Sequence, residues 1–222
     1  MDAPPLLLAS ASPRRRRLLA WLGLSYDVAA ADTDEDLTGP LRRLPPVLAR
    51  SLAADKARAA ADGARLVVAF DTIVVLDGTV LGKPADETDA RRMLRALSGR
   101  THEVITGVAL LSPGDDAPST FAVTTNVRMR ELDDDAIAVW LAGGEALDCA
   151  GAYNIERMLA SVEADECHQN VAGLPLCHLY ARLSRLGVPG LSIPVAACDA
   201  ARGARCTLGP RVCGEAGVAS SA

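Results

Sequence analysis

The chain has 222 residues, of which half are apolar and 23% charged, and its net charge is −5. That length suits one large domain or two small ones with a buried core, and the composition excludes a disordered or collagen-like chain. Net negative charge with 3% aromatic residues argues against a nucleic-acid-binding surface, so an anionic ligand would need a local cationic pocket.

Residues 5–9 (PLLLA) predict a short buried strand that breaks into Ser10-Ala11-Ser12. Ser12 as N-cap and Pro13 at the first helical position predict a helix over 13–22, ended by Gly23. Residues 25–30 read as a second strand, 32–46 as an acidic and then proline-containing loop, and 46–61 as a helix. Residues 66–70 and 73–76 predict two strands flanking Asp71-Thr72, with Asp77-Gly78 as a hairpin turn. An amphipathic helix follows over 86–97, then strands over 104–111 and 120–130. Residues 133–142 predict a helix with three aspartates at its positive end, 143–156 a functional loop and 171–186 the last helix. Strands and helices alternate without a strict βαβ rhythm, which predicts an α/β fold with a mixed sheet.

One domain is expected over 1–187. Beyond it periodicity disappears among Pro, Gly, Ala, Ser and Cys, and residues 188–222 read as a disordered or loosely packed tail. No stretch has the roughly 18 to 20 uncharged apolar residues of a membrane helix. The arginines follow the first apolar stretch instead of preceding it, the reverse of a secretory signal, so a soluble cytoplasmic protein is expected. Six cysteines (149, 167, 177, 198, 206 and 213) include no C-x-x-C pair, so the expectation is free thiols, with neither a zinc module nor a disulfide framework.

Of the 23 basic residues only Lys56 and Lys83 are lysine. A compact ammonium differs from a planar guanidinium, so the two exceptions in an arginine-rich chain point to sites that need one. Ser10, Ser12, Arg14 and Arg15 stand at the start of a helix, where unsatisfied amides, the positive dipole end and guanidinium forks favour an anion. Consecutive helical residues turn by about 100°, so Arg14 and Arg15 are assigned to the ligand and Arg16 and Arg17 to solvent. Asp71, a carboxylate between two apolar runs, is either a turn former or a metal ligand or general base. Gly82-Lys83-Pro84 lacks the spacing and the hydroxyl of a Walker A loop. His102, His168 and His178 have no ligand spacing and read as loop or partly buried residues.

Motifs in order along the chain resemble a known family. They are Ser-x-Ser-Pro-Arg-Arg (10–15), Asp-x-Asp-Glu (32–35), Asp-Lys-Ala (55–57) and Asp-Thr-Ile-Val-Val-Leu-Asp-Gly (71–78). Leu-Gly-Lys-Pro (81–84), Leu-Ser-Gly-Arg-Thr-His (97–102), Val-Ile-Thr-Gly-Val-Ala (104–109), Ala-Gly-Ala-Tyr (150–153) and Val-Ala-Gly-Leu-Pro-Leu (171–176) follow. This pattern resembles the Maf family of nucleoside triphosphate pyrophosphatases over about residues 6–187.

The resemblance implies a fold similar to inosine triphosphate pyrophosphatases: an elongated two-lobed α/β subunit with a central cleft, usually dimeric. It also implies cleavage of a nucleoside triphosphate to monophosphate and pyrophosphate with a divalent metal, Mg²⁺ or Mn²⁺. On that reading Asp71 is the proton acceptor, Glu35 and Asp71 hold the metal, and Lys56 and Lys83 act in catalysis. Ser10, Ser12, Arg14 and Arg15 bind phosphate. Arg14, Thr72 and Glu156 occupy the positions tied to base choice. Arg14 and Thr72 match the dTTP/UTP group, whereas Glu156 replaces its glutamine, and is expected to pair with Arg157 or face water if it does not read the base. The alternatives are a non-enzymatic regulator of cell division and a phosphatase that releases orthophosphate.

Overall fold

The computed structural model describes residues 5–31, 33, 36–37 and 39–218, without the side chains of 215–218. Asp32, Asp34 and the expected metal ligand Glu35 lie outside the described residues.

The chain begins with β1 (Leu6–Ala9), α1 (Pro13–Ala20) and β2 (Tyr26–Ala29). α1 starts as its sequence predicts: Pro13 opens it and Ser12 Oγ accepts the Arg15 amide at 3.4 Å. A 3-10 turn (Pro40–Arg43) leads into α2 (Pro45–Ala59), β3 (Leu66–Leu76) and β4 (Thr79–Leu81). Asp77 and Gly78 join β3 to β4 with φ of 48° and 75°, the primed hairpin geometry expected of Asp-Gly. Then come α3 (Glu87–Leu97), β5 (Thr101–Leu111), β6 (Ser119–Met129) and α4 (Asp134–Ala142). Asp86 caps α3 through the Asp89 amide at 2.8 Å, and Asp133 caps α4 through the Ala136 amide at 2.8 Å. Each such cap contributes about 1 kcal/mol.

These strands and β7 (Ala160–Ser161) form a seven-stranded mixed sheet in the order β2-β1-β3-β5-β6-β7, with β4 on β3. β1 runs parallel to β2 and β3, whereas β5, β6, β7 and β4 are antiparallel to their neighbours. The expected mixed α/β sheet is therefore what the residues form.

β3 organises the molecule. Its even-numbered residues Leu66, Val68, Phe70, Val74 and Leu76 enter the large core with α1, α3, α4 and the later helices. Odd-numbered Val67 and Ala69 pack on Ala53, Ala54 and Ala57 of α2, and Ile73 and Val75 pack on Leu48, Ala49 and Leu52. α2 lies so close to the sheet that a side chain at Gly107 of β5 would start 2.1 Å from the Ala49 carbonyl oxygen. Only glycine fits there.

Three expectations need correction. The two strands expected on either side of Asp71-Thr72 are one strand, because β5 pairs along it without interruption, Asp71 standing opposite Gly107 and Thr72 opposite Thr106. The break belongs to the neighbour: β1 pairs with β3 only through Ala69, and β4 only from Val74. The helix expected over 171–186 is divided into α5 (His168–Val171) and α6 (Leu176–Arg185), since Gly173 takes φ of 95° and Pro175 restarts the chain. The segment after 187 carries α7 (Val195–Arg202) and α8 (Leu208–Val218), which bury Cys198 and Cys213. Its small residues erase the hydrophobic period but allow close helix approach. The Ser192 amide donates to the Leu22 carbonyl at 2.8 Å and the Thr207 amide to that of Ala164 at 2.9 Å, tying the segment down at two points.

Candidate active site

A cleft of about 900 Å³ opens over the stretch of β3 that neither β1 nor β4 covers. Six cations (Arg14, Arg15, Arg17, Lys56, Lys83 and Arg157) and four carboxylates (Asp71, Glu145, Asp148 and Glu156) are among the described residues lining it. In a chain of net charge −5, this is the local cationic pocket that an anionic ligand requires.

At its floor Lys56 donates to Asp71 Oδ1. Both side chains are buried, at 12% and 3% exposure. The sequence places both charges on core-facing positions. Lys56 continues the Leu48–Leu52 stripe of α2, and Asp71 continues the Val67–Ala69 alternation of β3, so the pair sits at the seam between two apolar clusters. Burying two charges is costly unless they meet, and here they do.

Thr72 points to the opposite face of the sheet. Its Oγ1 accepts from Arg15 at 3.0 Å and lies 2.9 Å from Thr106 Oγ1. Thr106 in turn donates to the Asn170 carbonyl at 3.0 Å, and the Asn170 amide donates to the Val104 and Val123 carbonyls and to Thr125 Oγ1. Arg15 also donates to the Gly173 carbonyl at 2.9 Å and to Ser10 Oγ at 3.4 Å, with its guanidinium 5.7 Å from the Phe70 ring centre. A side chain on Gly173 would press on Arg15 Nε at 3.3 Å and Thr72 Oγ1 at 3.4 Å, in a backbone conformation that already favours glycine.

Arg15, assigned to the ligand by its sequence position, is thus a strut joining α1, β3 and the loop before α6. Arg14 lines the cleft beside Cys149 and Glu145. Ser10 Oγ accepts the Ser12 amide at 3.2 Å as well as Arg15, and Ser12 Oγ caps α1, so both hydroxyls shape the loop. Lys83 is exposed on the cleft wall.

The far wall is the segment 145–157, a succession of 3-10 turns (Ala146–Asp148, Ala150–Ala152 and Ile155–Arg157). Its middle turn and the tyrosine after it are clamped to the rest of the molecule. The Gly151 amide donates to the Gly82 carbonyl at 2.9 Å, Trp140 Nε1 donates to the Ala152 carbonyl at 2.7 Å, and the Tyr153 hydroxyl lies 2.7 Å from His102 Nε2. His102, expected in a loop or partly buried, lies in β5 at 3% exposure, and burial lowers its pKa to about 4. Hydrogen bonds from Arg157 and Asn154 hold Glu145 below the usual carboxylate range. Burial raises the Cys149 thiol, with the Arg14 charge opposing it.

Glu156 pairs with Arg17, and Arg157 with Glu145. Arg17 is exposed, as expected, but also reaches across the cleft mouth to Glu156, and the ion-pair partner of Glu156 is this arginine where Arg157 or water was expected. Glu156 and Arg17 are 139 residues apart, beyond the reach of local patterning. Sequence reading also left out Thr106, Asn170 and Gly173. A threonine-glycine step inside an apolar strand was the available signal for the first.

Comparisons with known proteins place the chain in a family. A family model described as Maf-like protein matches residues 5–186. The dTTP/UTP pyrophosphatase of Geobacter sulfurreducens is 44% identical over 192 residues, 84% of this chain and 99% of that one. Those of Moorella thermoacetica and Anaeromyxobacter dehalogenans are 45% and 46% identical, over 82% and 84% of this chain and 95% and 96% of their own. Among solved structures, the Staphylococcus aureus Ham1 protein aligns with a TM-score of 0.38 at 16% identity, covering 56% of this chain and 71% of that chain, a likeness too slight to build on. Matched by the family model over most of its length, and by full-length relatives well above 30% identity, the chain belongs to the Maf family.

Proposed function

We propose that this protein hydrolyses nucleoside triphosphates, with dTTP and UTP as its first substrates, to the monophosphate and pyrophosphate. The observation that carries the reading is the buried Lys56–Asp71 pair at the uncovered edge of β3, inside a cation-rich cleft. Arg14 and Lys83 neutralise the triphosphate along the wall, and Asp71 accepts a proton from the water that attacks the α-phosphorus. The new P–O bond forms as the bond bridging the α and β phosphates breaks, and pyrophosphate leaves. Lys56 holds the carboxylate in place.

A divalent cation, Mg²⁺ or Mn²⁺, is part of this reading, and Asp71 at the cleft floor is a carboxylate of the kind it takes. The described residues hold no cluster of three or more potential ligands. Mg²⁺ is content with one or two carboxylates plus substrate phosphates and waters. Asp71 would hold it together with Glu35. When bound, the ion supplies charge neutralisation and a more acidic water.

The names of the relatives support dTTP and UTP, and so do Arg14 and Thr72, which match that group. Glu156 departs from it, and its pairing with the partly exposed Arg17 softens the carboxylate's repulsion of a pyrimidine carbonyl without removing it. Action on nucleotide pools fits a cytoplasmic homodimer, which sedimentation would check. No helix among the described residues is long and apolar enough to cross a membrane.

The test is a panel of nucleotides assayed with and without Mg²⁺, separating pyrophosphate from orthophosphate. Pyrophosphate from dTTP and UTP is expected. Orthophosphate would make the protein a phosphatase, and no turnover at all would favour a non-enzymatic regulator of division.

A further inference from the structure

Five of the six cysteines gather where the segment after 187 folds back on α6. Cys177 and Cys213 interact with each other, and Cys167, Cys198 and Cys206 are close enough to affect one another's ionisation. All are free thiols. Two of them, Cys198 and Cys213, are buried positions of the last two helices. Cys198 is the buried residue of α7, and Gly209 and Cys213, one turn apart, are buried along α8. A side chain started at Gly209 would meet Cys177 Sγ at 3.2 Å and Cys206 Sγ at 3.7 Å, so the sulfur of α6 is seated directly against the face of α8 that carries Cys213. Cys206 Sγ instead accepts the Gly209 amide at 3.3 Å. Three of these thiols (198, 206 and 213) lie beyond the residues that the family model matches, yet they meet two that lie within it.

We propose that Cys177 and Cys213 are a peroxide-sensitive dithiol that oxidises to a disulfide and locks α8 onto α6. The Cys213 thiolate attacks hydrogen peroxide, the O–O bond breaks and a first water leaves, giving a sulfenic acid. Cys177 sulfur then attacks the sulfenic sulfur, the S–O bond breaks, the S–S bond forms and a second water leaves. Two thiols lose two electrons and two protons, and the peroxide takes up both. The contact between the two sulfurs lowers the pKa of Cys213 and raises that of Cys177, and the balance is the same whichever sulfur attacks first. In the reduced state small thiols and a glycine hold α8, and in the oxidised state a covalent bond does.

The experiment uses the full chain, reduced, desalted and exposed to hydrogen peroxide. Thiol titration in denaturant should fall from six to four, and dithiothreitol should restore all six. Non-reducing peptide mapping should yield one linked pair, Cys177 with Cys213, lighter by two hydrogens. Cys213→Ser should keep its thiols under the same exposure, whereas Cys206→Ser should still lose two. Six thiols remaining in the oxidised protein, a crosslink to Cys206 or Cys198, or thiol loss through sulfinic acid without a crosslink would overturn the proposal.

Discussion

Replacing Lys56 by methionine keeps an unbranched stem on the core-facing stripe of α2 and removes the ammonium from Asp71. Losing one member of a buried ion pair costs about 3–5 kcal/mol, whereas removing both charges costs far less. With the two side chains at 12% and 3% exposure, the lower end, about 3 kcal/mol, is the expected loss. For a chain of this size that is a fall in Tm of roughly 6–12 °C. The double variant Lys56→Met with Asp71→Asn should recover at least half of it. Turnover should behave differently. Asp71→Asn alone keeps the carboxylate's shape and should remain folded, yet lose at least about 100-fold in kcat, the scale of a general base. The double variant should stay inactive although its stability returns. Urea unfolding of the three variants beside steady-state kinetics separates the two effects. A cost below about 1 kcal/mol for Lys56→Met, the value of an exposed pair, would refute the buried-pair argument. More than a tenth of wild-type turnover in Asp71→Asn would refute the base assignment.

Lys83→Arg should lower kcat/KM at least about tenfold, because a planar fork cannot replace a compact ammonium against phosphate, and near-wild-type kinetics would return that lysine to chance. Glu156→Gln releases Arg17 and should shift the ratio of kcat/KM for UTP against CTP and GTP by several-fold toward UTP. An unchanged ranking would mean that this position does not read the base. Stability should fall on acidification from pH 6.5 to 4. Burial sets the pKa of folded His102 at about 4, below the ordinary value near 6.5, so the unfolded chain binds more protons in that window. The stabilisation is complete above the window and lost as pH falls through it, by about 3 kcal/mol, and His102→Gln should show a shallower dependence of Tm on pH.

Local chemistry made much of the fold legible. Ser12 and Pro13 announced α1, Asp77-Gly78 the hairpin, and Asp86 and Asp133 the starts of α3 and α4. Asp71-Thr72 misled because two polar residues in an apolar run look like a boundary. Their hydrogen-bonding partner is supplied by β5, which no local window contains. The charged side chains Lys56 and Asp71 were singled out from type and context, but their contact depends on Gly107 letting α2 approach the sheet. Arg15 and Arg17 show the limit most plainly. Helical geometry separates their directions, and only the distant Gly173, Thr72 and Glu156 decide what each direction meets. Over residues 188–214, small side chains carry helical packing with almost no hydrophobic contrast to detect.

Because successive side chains of β3 leave from opposite faces of the sheet, Asp71 and Thr72 are chain neighbours with separate surroundings. One stands among the residues of α2, the other among Arg15, Thr106 and the Gly173 loop. A substitution at Thr72 therefore acts on the network of Arg15 and Thr106 and leaves the ion pair behind the strand untouched, a modular division within a single dipeptide. The same geometry forbids the opposite freedom. One residue inserted or deleted between Leu66 and Ala69 would exchange the two faces, bringing the carboxylate to Arg15 and the hydroxyl to Lys56, so the length of this strand is held more tightly than its composition.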